Sequence, residues 1–354
     1  MRLFNKILVT GGCGFIGSHL IKTFINKHKN TKIVNADKLT YAGNEDNLLK
    51  LESNKNYSYK KVDIVNNQSL KTLFNDNDFD AVIHLAAESH VDKSIENPRE
   101  FLDTNIIGTY NLLSCSLEQY KKNKEFIFFH ISTDEVYGSL ELDEPPFTES
   151  NNYLPKSPYA SSKAASDHLV RAWHNTYKLP ILITNCSNNY GPNQHPEKLI
   201  PSIVLNALTG QEINIYGNGL AIRDWLYVED HCEAIDKVLH YGQIGETYNI
   251  GGNSERKNIE IANEVCSILD HLMPPSEKCS LRSNKSLDIS SYSDLITFVQ
   301  ERPGHDQRYA IDANKIKQDL GWFAEKPLSA GLRDTVEWYI GNTEWLTNII
   351  NNKK

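Results

Sequence analysis

Lys6-Ile7-Leu8-Val9-Thr10-Gly11-Gly12-Cys13-Gly14-Phe15-Ile16-Gly17 opens the chain with a short apolar run, a glycine-rich turn and the start of a helical pattern. Gly11, Gly14 and Gly17 fall in a G-x-x-G-x-x-G spacing. Glycines so placed permit a tight turn after a strand and let backbone N–H groups reach a pyrophosphate at a helix N-terminus. The third lets the helix pack closely on the strand. A glycine-rich turn alone often marks nothing but a turn. Here an acid, Asp37, ends the next apolar run, about 20 residues past the last glycine, where a carboxylate takes the ribose hydroxyls of a dinucleotide. An acid there repels a 2′-phosphate, which favours NAD over NADP. The neighbouring Lys38 works the other way, since a base tolerates that phosphate.

Outward from this stretch, short apolar runs alternate with segments of helical period. Ile7–Thr10, Lys32–Ala36, Ala81–Ala86, Phe126–Ser132 and Ile181–Cys186 read as strands buried on both faces. Helices are expected around Phe15–Lys27, Ser69–Phe74, Pro98–Tyr120 and Tyr159–Tyr177. Such alternation predicts an α/β fold, a doubly wound parallel sheet of Rossmann type. After Asn188 the pattern weakens and Gly, Pro and Asn become frequent. A helix near Leu199–Leu208 and short strands near Ile213–Tyr216 and Leu226–Val228 follow, and Arg256–Arg308 reads as part of a smaller C-terminal substrate-binding lobe. The expected division is a cofactor domain over 1–187, rejoined by about 222–252 and 311–354, and a lobe over 188–221 and 253–310. A last helix near Leu328–Tyr339 carries an apolar face expected to return to the first domain.

Composition narrows the function classes. The 354 residues carry a net charge of −8, so non-specific nucleic-acid binding is not expected and an anionic substrate needs a local basic pocket. The six cysteines form no C-x-x-C pair, so neither a zinc site nor a redox motif is indicated; buried free thiols in a reducing compartment are the simpler reading. No apolar leader precedes Lys6 and no run reaches membrane length, so a cytoplasmic protein without a membrane partner is expected.

At the carboxyl ends of the other strands, Asp63-Ile64 is placed to flank an adenine. Leu85-Ala86-Ala87-Glu88-Ser89 offers small residues where a cofactor crosses the sheet, although close helix–sheet packing explains Ala86-Ala87 equally well. The chemistry centres on Ser132-Thr133-Asp134-Glu135 and Tyr159-Ala160-Ser161-Ser162-Lys163. Tyr159 and Lys163 share a helical face, and an ammonium beside a phenol lowers its pKa from about 10 towards neutrality. That phenolate takes the proton of an alcohol as hydride leaves the same carbon. Thr133 is a hydroxyl partner for the same oxygen. Asp134 and Glu135 would ordinarily be a helix cap or a solvated turn. Following a buried strand at the ligand edge of the sheet, they read instead as one acid and one base.

With these residues in hand, the chain resembles the extended short-chain dehydrogenase/reductase superfamily, which shares the glycine pattern and the Y-x-x-x-K. Thr133-Asp134-Glu135, Ala87-Glu88-Ser89-His90-Val91-Asp92, Asn188-Asn189-Tyr190-Gly191-Pro192, Arg223-Asp224-Trp225-Leu226 and Arg302-Pro303-Gly304-His305-Asp306 resemble its dTDP-glucose 4,6-dehydratases end to end. Sugar-nucleotide epimerases of the superfamily usually have small residues in place of Asp134 and Glu135, and the related decarboxylases typically have Ser in place of Asp134. The resemblance implies a redox-neutral cycle on dTDP-glucose. Tyr159, helped by Lys163 and Thr133, would deprotonate the 4-hydroxyl as C4 hydride passes to NAD. Glu135 would take the acidified C5 proton while Asp134 protonates the departing C6 hydroxyl, and hydride would return to C6. The resemblance also implies cofactor contacts from Leu39, Thr40, Thr104 and Asn189. It implies a nucleotide-sugar pocket from Ser89, Asn188, Lys198, Leu199, Ile215, Tyr216, Arg223, Asn258, Glu301, Arg302, Pro303, Gly304 and His305, and a homodimer through the Pro98–Tyr120 and Tyr159–Tyr177 helices. Arg223 and Arg302 suit a diphosphate, whose oxygens a guanidinium fork matches. Asn214 stands where the family commonly has Pro, which leaves a UDP-glucose 4,6-dehydratase as an alternative, with a 4-epimerase the other.

Overall fold

The computed structural model describes residues 1–283 and 285–351. Its strands are β1 Lys6–Thr10, β2 Lys32–Asp37, β3 Tyr57–Lys61, β4 Ala81–His84, β5 Ile127–Thr133, β6 Ile181–Cys186, β7 Asn188–Tyr190, β8 Ile213–Tyr216, β9 Ile222–Tyr227, β10 Thr247–Ile250, β11 Glu255–Lys257 and β12 Ile296–Val299. Seven form one sheet in the order β10-β6-β5-β4-β1-β2-β3, parallel throughout. Strand order reverses at β1, so the crevice between the carboxyl ends of β1 and β4 is the switch point where such sheets take ligands. This is the expected doubly wound fold.

The central strands read as continuous apolar runs because both faces are covered. Ile7, Val9, Ile83, Phe129 and Leu182 point into one core with the helices Phe15–Lys27 and Val228–Tyr241. Leu8, Val82, Phe128 and Ile183 point into the opposite core with the helices Asn67–Asn75, Thr109–Lys122 and Pro158–Tyr177. The edge strand β3 (Tyr-Ser-Tyr-Lys-Lys) is largely exposed and polar, as an unpaired sheet edge requires. The edge strand β10 has only four residues. Neither produces an apolar run, which is why the sequence pattern does not reveal them.

The expected single helix over Pro98–Tyr120 is interrupted. Pro98–Phe101 is α-helical, Leu102–Gly108 is a π-helical stretch, and the α-helix resumes over Thr109–Lys122. Wider turns of this kind cluster at functional sites. Here Thr104 reaches the cavity described below. The neighbouring Asn105 accepts a hydrogen bond from the Glu88 N–H (2.9 Å) and donates to the Glu88 carbonyl (3.0 Å) and to Ser162 Oγ (2.8 Å).

A second core lies in the smaller lobe. Ile200, Ile203 and Val204 of the Leu199–Thr209 helix pack with Ile261, Val265 and Leu269 of the Asn258–Leu272 helix, beside the sheets β11-β9-β7 and β12-β8. Leu328, Leu332, Val336 and Tyr339 belong to this core. The last apolar face therefore does not return to the first domain as expected; the Leu328–Gly341 helix docks on the lobe helix Asn258–Leu272, where its four apolar residues find a matching surface. No helix among the described residues is long and apolar enough to cross a membrane. All six cysteines are buried and free.

The helix Phe15–Lys27 is fastened to Val228–Tyr241 by Asp236. One carboxylate oxygen meets His28 Nε2 at 2.8 Å and His240 Nδ1 at 3.0 Å, and the other lies 3.3 Å from Lys27 Nζ. These partners hold the Asp236 carboxyl down at about 2, bonds to the two histidines outweighing partial burial. A depressed pKa adds stability above the unfolded carboxyl value and loses it as pH falls through the folded one. Asp236→Asn should lower unfolding stability at pH 7 by about 1–2 kcal/mol. In urea titrations the deficit should hold above pH about 4 and shrink below it.

Candidate active site

The glycine turn does what its spacing requires. Gly11 sits at φ +72°, and a Cβ there would lie 2.7 Å from the Ala86 backbone. A Cβ on Gly17 would meet the Gly11 carbonyl at 2.3 Å. The Phe15–Lys27 helix begins after Gly14 with no side-chain cap, which leaves its first N–H groups facing a cavity of about 300 Å³ along the switch point. Asp37 closes β2 with both carboxylate oxygens turned back to the chain, accepting from Cys13 N–H (3.0 Å) and Leu39 N–H (2.8 Å). Each oxygen keeps a lone pair for a diol. Lys38 is held away from a phosphate role by acids, its Nζ 3.9 Å from Asp63 and 4.0 Å from Glu88.

Of the residues expected at the cofactor, Gly11, Gly14, Phe15, Ile16 and Gly17 line the cavity, as do Asp37, Lys38, Thr40 and Ile64. Leu85, Ala86, Ala87, Ser89, Thr104, Tyr159, Lys163 and Asn189 join them. Leu39 does not: its left-handed backbone (φ +59°) turns its side chain into the first core, and only its N–H serves the site through Asp37. Asp63 is half-buried and caps its own turn through the Val65 N–H (2.9 Å), while Val62 and Ile64 on either side line the cavity.

The other end of the cavity is built by β5 and the Pro158–Tyr177 helix. All seven residues of β5 are buried, so the chain leaves it with Thr133 and Asp134 already in the interior. Thr133 caps the following turn, its hydroxyl accepting from Glu135 N–H (3.3 Å) and donating to Asp134 Oδ1 (3.4 Å). Asp134 is 2% exposed, and its Oδ2 has no partner. Burial pushes its carboxyl well above the ordinary range, and Glu135 and Asp224 push the same way against Arg223 and the Thr133 hydroxyl. Burial raises Glu135 too, but three cations oppose it: Arg302, Lys198 and Arg223. Burial thus raises both adjacent carboxyls, with neighbouring acids adding to the shift at Asp134 and three cations working against it, and against Asp306, at Glu135.

Tyr159 and Lys163 lie where their spacing predicts, both buried. The expectation of a phenol lowered by Lys163 is corrected. Burial, then Glu135 and Cys186, hold the Tyr159 hydroxyl well above its ordinary value, with Thr133 alone easing it down. The Lys163 ammonium donates to the Ile131 carbonyl (2.9 Å), and burial pulls its own pKa down.

Of the residues expected at the sugar nucleotide, Ser89, Thr133, Asn188 and Lys198 line the cavity. Lys198 Nζ donates to the Ser89 carbonyl (2.8 Å), and Asn188 Oδ1 is buried without a partner. Arg223 is buried on β9, its guanidinium 4.3 Å from the Tyr309 ring centre and donating to the Asp306 carbonyl (2.9 Å). Arg302 Nη1 lies 3.4 Å from Asp92, and its Nε is buried and unpartnered. Tyr216 O–H donates to Asp92 (3.2 Å), and its ring meets His305 edge-on; His305 Nδ1 pairs with Glu301. Asn258 opens a lobe helix with Oδ1 buried and unpartnered. Leu199 packs on the lobe core, and Ile215 is 1% exposed inside it, so their side chains do not enter the cavity. Glu301, Pro303 and Gly304 are exposed. Asn214, the departure from the family loop, points outward on β8.

Sequence reasoning missed Gln194, His195 and Glu197, which line the cavity from the loop before Lys198. Glu197 lies 3.3 Å from Lys93 Nζ and accepts from Tyr41 O–H (3.2 Å). It also missed Cys186 and Ser187, at the carboxyl end of β6. The rule that ligands sit at strand carboxyl ends would have found the latter two.

The cavity fits an NAD. The glycine cradle would be filled by any Cβ, the helix start is uncapped, and Asp134 Oδ2, Ser187 Oγ and Asn188 Oδ1 are buried polar atoms without partners along one cavity. Comparison with known proteins agrees. The family model described as GDP-mannose 4,6 dehydratase matches residues 8–335. A dTDP-glucose 4,6-dehydratase of Neisseria meningitidis serogroup B is 50% identical over 352 residues, covering 98% of this chain and 96% of its own. The dTDP-glucose 4,6-dehydratase 1 of Escherichia coli K12 is 50% identical, covering 97% and 95%. A dTDP-glucose 4,6-dehydratase of Bacillus anthracis, solved in complex with NAD, superposes with a TM-score of 0.83 at 42% identity, covering 97% of this chain and 99% of its own. A UDP-glucose 4-epimerase of Thermotoga maritima superposes with a TM-score of 0.81 over 96% and 99%, but at 26% identity. The chain belongs to the GDP-mannose 4,6 dehydratase family and, within it, to the dTDP-glucose 4,6-dehydratases.

Proposed function

We propose that the protein is a hydro-lyase that converts dTDP-glucose to dTDP-4-keto-6-deoxyglucose and water. The observation that carries this reading is the adjacent buried pair Asp134 and Glu135, with more cations set against the upward shift at Glu135 than at Asp134. Bound NAD supplies the acceptor, and then the donor, of a hydride. Everything else is proton work by the chain. Tyr159 takes the 4-hydroxyl proton beside Thr133. Burial and Glu135 raise the Tyr159 pKa in the resting protein; a cation at Lys163, one helical turn away, favours the phenolate as it forms. The resulting 4-ketone acidifies C5–H. Glu135, kept ionisable by Arg302, Lys198 and Arg223, removes that proton. Asp134, kept protonated by burial and neighbouring anions, donates to the C6 hydroxyl, which leaves as water, and Glu135 returns the proton to C5 as C6 is reduced. The lobe formed by 188–221, 253–310 and the Leu328–Gly341 helix supplies the three cations or their supports, and so binds the diphosphate on the Glu135 side.

The same reading places the protein in the cytoplasm as a homodimer, with neither nucleic acid nor membrane as partner. Leu102, Ile107, Tyr110 and Tyr177 are exposed apolar residues on the two helical segments of the expected interface. Charge at such a patch opposes association. Ile107→Glu with Tyr110→Glu should leave a monomer by sedimentation at concentrations where the unaltered protein is a dimer; an unaltered protein that sediments as a monomer overturns the dimer.

Incubated side by side with dTDP-glucose and UDP-glucose, the protein should form the alkali-absorbing 4-keto product from dTDP-glucose at the higher rate. A product that is only the 4-epimer, or equal turnover of both substrates, would count against the assignment.

Asp134→Asn should abolish water loss while leaving C4 oxidation visible as NADH absorbance. It should also change stability with a set sign. A raised folded pKa gives stability that is present below the unfolded carboxyl value and lost as pH rises from there towards the folded one. The Asn variant escapes this, so its stability relative to the unaltered protein should increase as pH rises above about 4 in urea titrations.

A further inference from the structure

The helix that carries Tyr159 and Lys163 continues the same buried face with Asp167 and Arg171, at four-residue intervals. Asp167 is 0% exposed. One carboxylate oxygen accepts hydrogen bonds from Ser132 Oγ and Tyr153 O–H, each at 2.9 Å, and the other lies 3.1 Å from His130 Nε2. Ser132 immediately precedes Thr133 in β5. The Tyr153 hydroxyl also meets Asn185, whose Nδ2 donates to the Thr133 carbonyl (3.0 Å). Arg171 reaches the same Tyr153 hydroxyl (2.8 Å) and Thr247 Oγ1 (2.6 Å). The proton chemistry of the site uses none of these groups.

We propose that Asp167 is a positioning residue for the reaction: one turn beyond Lys163 in the dry interior, its carboxylate keeps the Lys163 ammonium charged one helical turn from Tyr159. This rests on the reading of Tyr159 as the base.

The groups facing Lys163 decide its charge. On β5, burial holds His130 at about 4, and on β4 it holds His84 far below the ordinary histidine range, so both rings are neutral. On β6, burial pushes the Cys186 thiol up to about 12, so it too is uncharged. Asp167 stays a carboxylate: its bonds with His130 and Ser132, and the charge of Lys163, outweigh its burial. Lys163 itself is drawn down by burial, and Asp167 is the strongest influence raising it again. A buried lysine with no counter-charge loses its proton several pH units early.

The test is the pH profile of the NAD-loaded enzyme on dTDP-glucose. Asp167→Asn should move the alkaline limb of kcat down by about one pH unit or more. KM should stay within about threefold, and bound NAD should be retained. Asp167→Glu should restore the limb. A purely structural role would lower the melting temperature and leave the limb in place, so a folded Asp167→Asn protein with an unmoved limb overturns the proposal. A second measurement does not depend on that variant folding. In the unaltered protein labelled with ¹³C at lysine Cε, Lys163 should be charged at pH 7; a neutral Lys163 overturns the proposal. Tyr159→Phe, run alongside, separates the two ideas. Normal turnover by that variant would sink the base assignment, whereas the charge on Lys163 is read independently of it.

Discussion

A carboxyl group driven into the dry interior at the end of a buried strand is the constraint on which the rest of this structure depends. β5 is buried over all seven residues, and Asp134 follows it without reaching solvent. An ionised carboxylate there costs several kcal/mol, so the group stays protonated. Glu135 and Asp224 add to that cost, and Arg223 and the Thr133 hydroxyl relieve only part of it. A fold selected for stability alone would place a neutral side chain at this position. The proposed role of Asp134 as a proton donor accounts for a buried acid here.

That arrangement makes a demand on the second lobe. In the proposed reaction Glu135, the next residue, must be able to ionise beside a group that must not. The cations that allow this come from separate elements: Lys198 at the start of a lobe helix, Arg223 on β9 and Arg302 in the loop after β12. They are held in place by carbonyls and an acid, through Ser89, Asp306 and Asp92. Long, irregular connections in the lobe are thus explained by electrostatics as much as by substrate shape. The same three cations suit a diphosphate, so in the proposed reaction substrate anchoring and base activation would draw on one set of charges.

The doubly wound sheet was legible because buried parallel strands must be apolar on both faces, and β1, β4, β5 and β6 are. The edge strands β3 and β10 were not, being polar or short. Gly11, Asp37, Thr133, Asp134, Glu135, Tyr159 and Lys163 were legible because each is tied to a local spacing. Leu39 and Ile215 were carried by resemblance, and local geometry turns their side chains into cores instead. Gln194, His195 and Glu197 come from a loop with no periodic pattern, so only tertiary structure brings them to the cavity. The π-helical stretch at Leu102–Gly108 has no sequence mark, because its cause is distant: Asn105 reaches across to the Glu88 backbone.

The shared fold also clarifies what separates related chemistries. A UDP-glucose 4-epimerase superposes almost as well as a dTDP-glucose 4,6-dehydratase does, at TM-scores of 0.81 and 0.83. The sheet, the glycine cradle and the Tyr–Lys pair therefore cannot by themselves specify water loss. They supply oxidation at an alcohol carbon, which any sugar-nucleotide enzyme of this architecture needs. Elimination needs in addition an acid and a base on adjacent sugar carbons, in opposite protonation states at one pH. Two neighbouring carboxyls can meet that need only if their environments differ, and here the difference is built by burial beside anions on one side and by three cations on the other. The selection between reactions thus lies in how charge is distributed around two residues, on a scaffold that leaves the choice open.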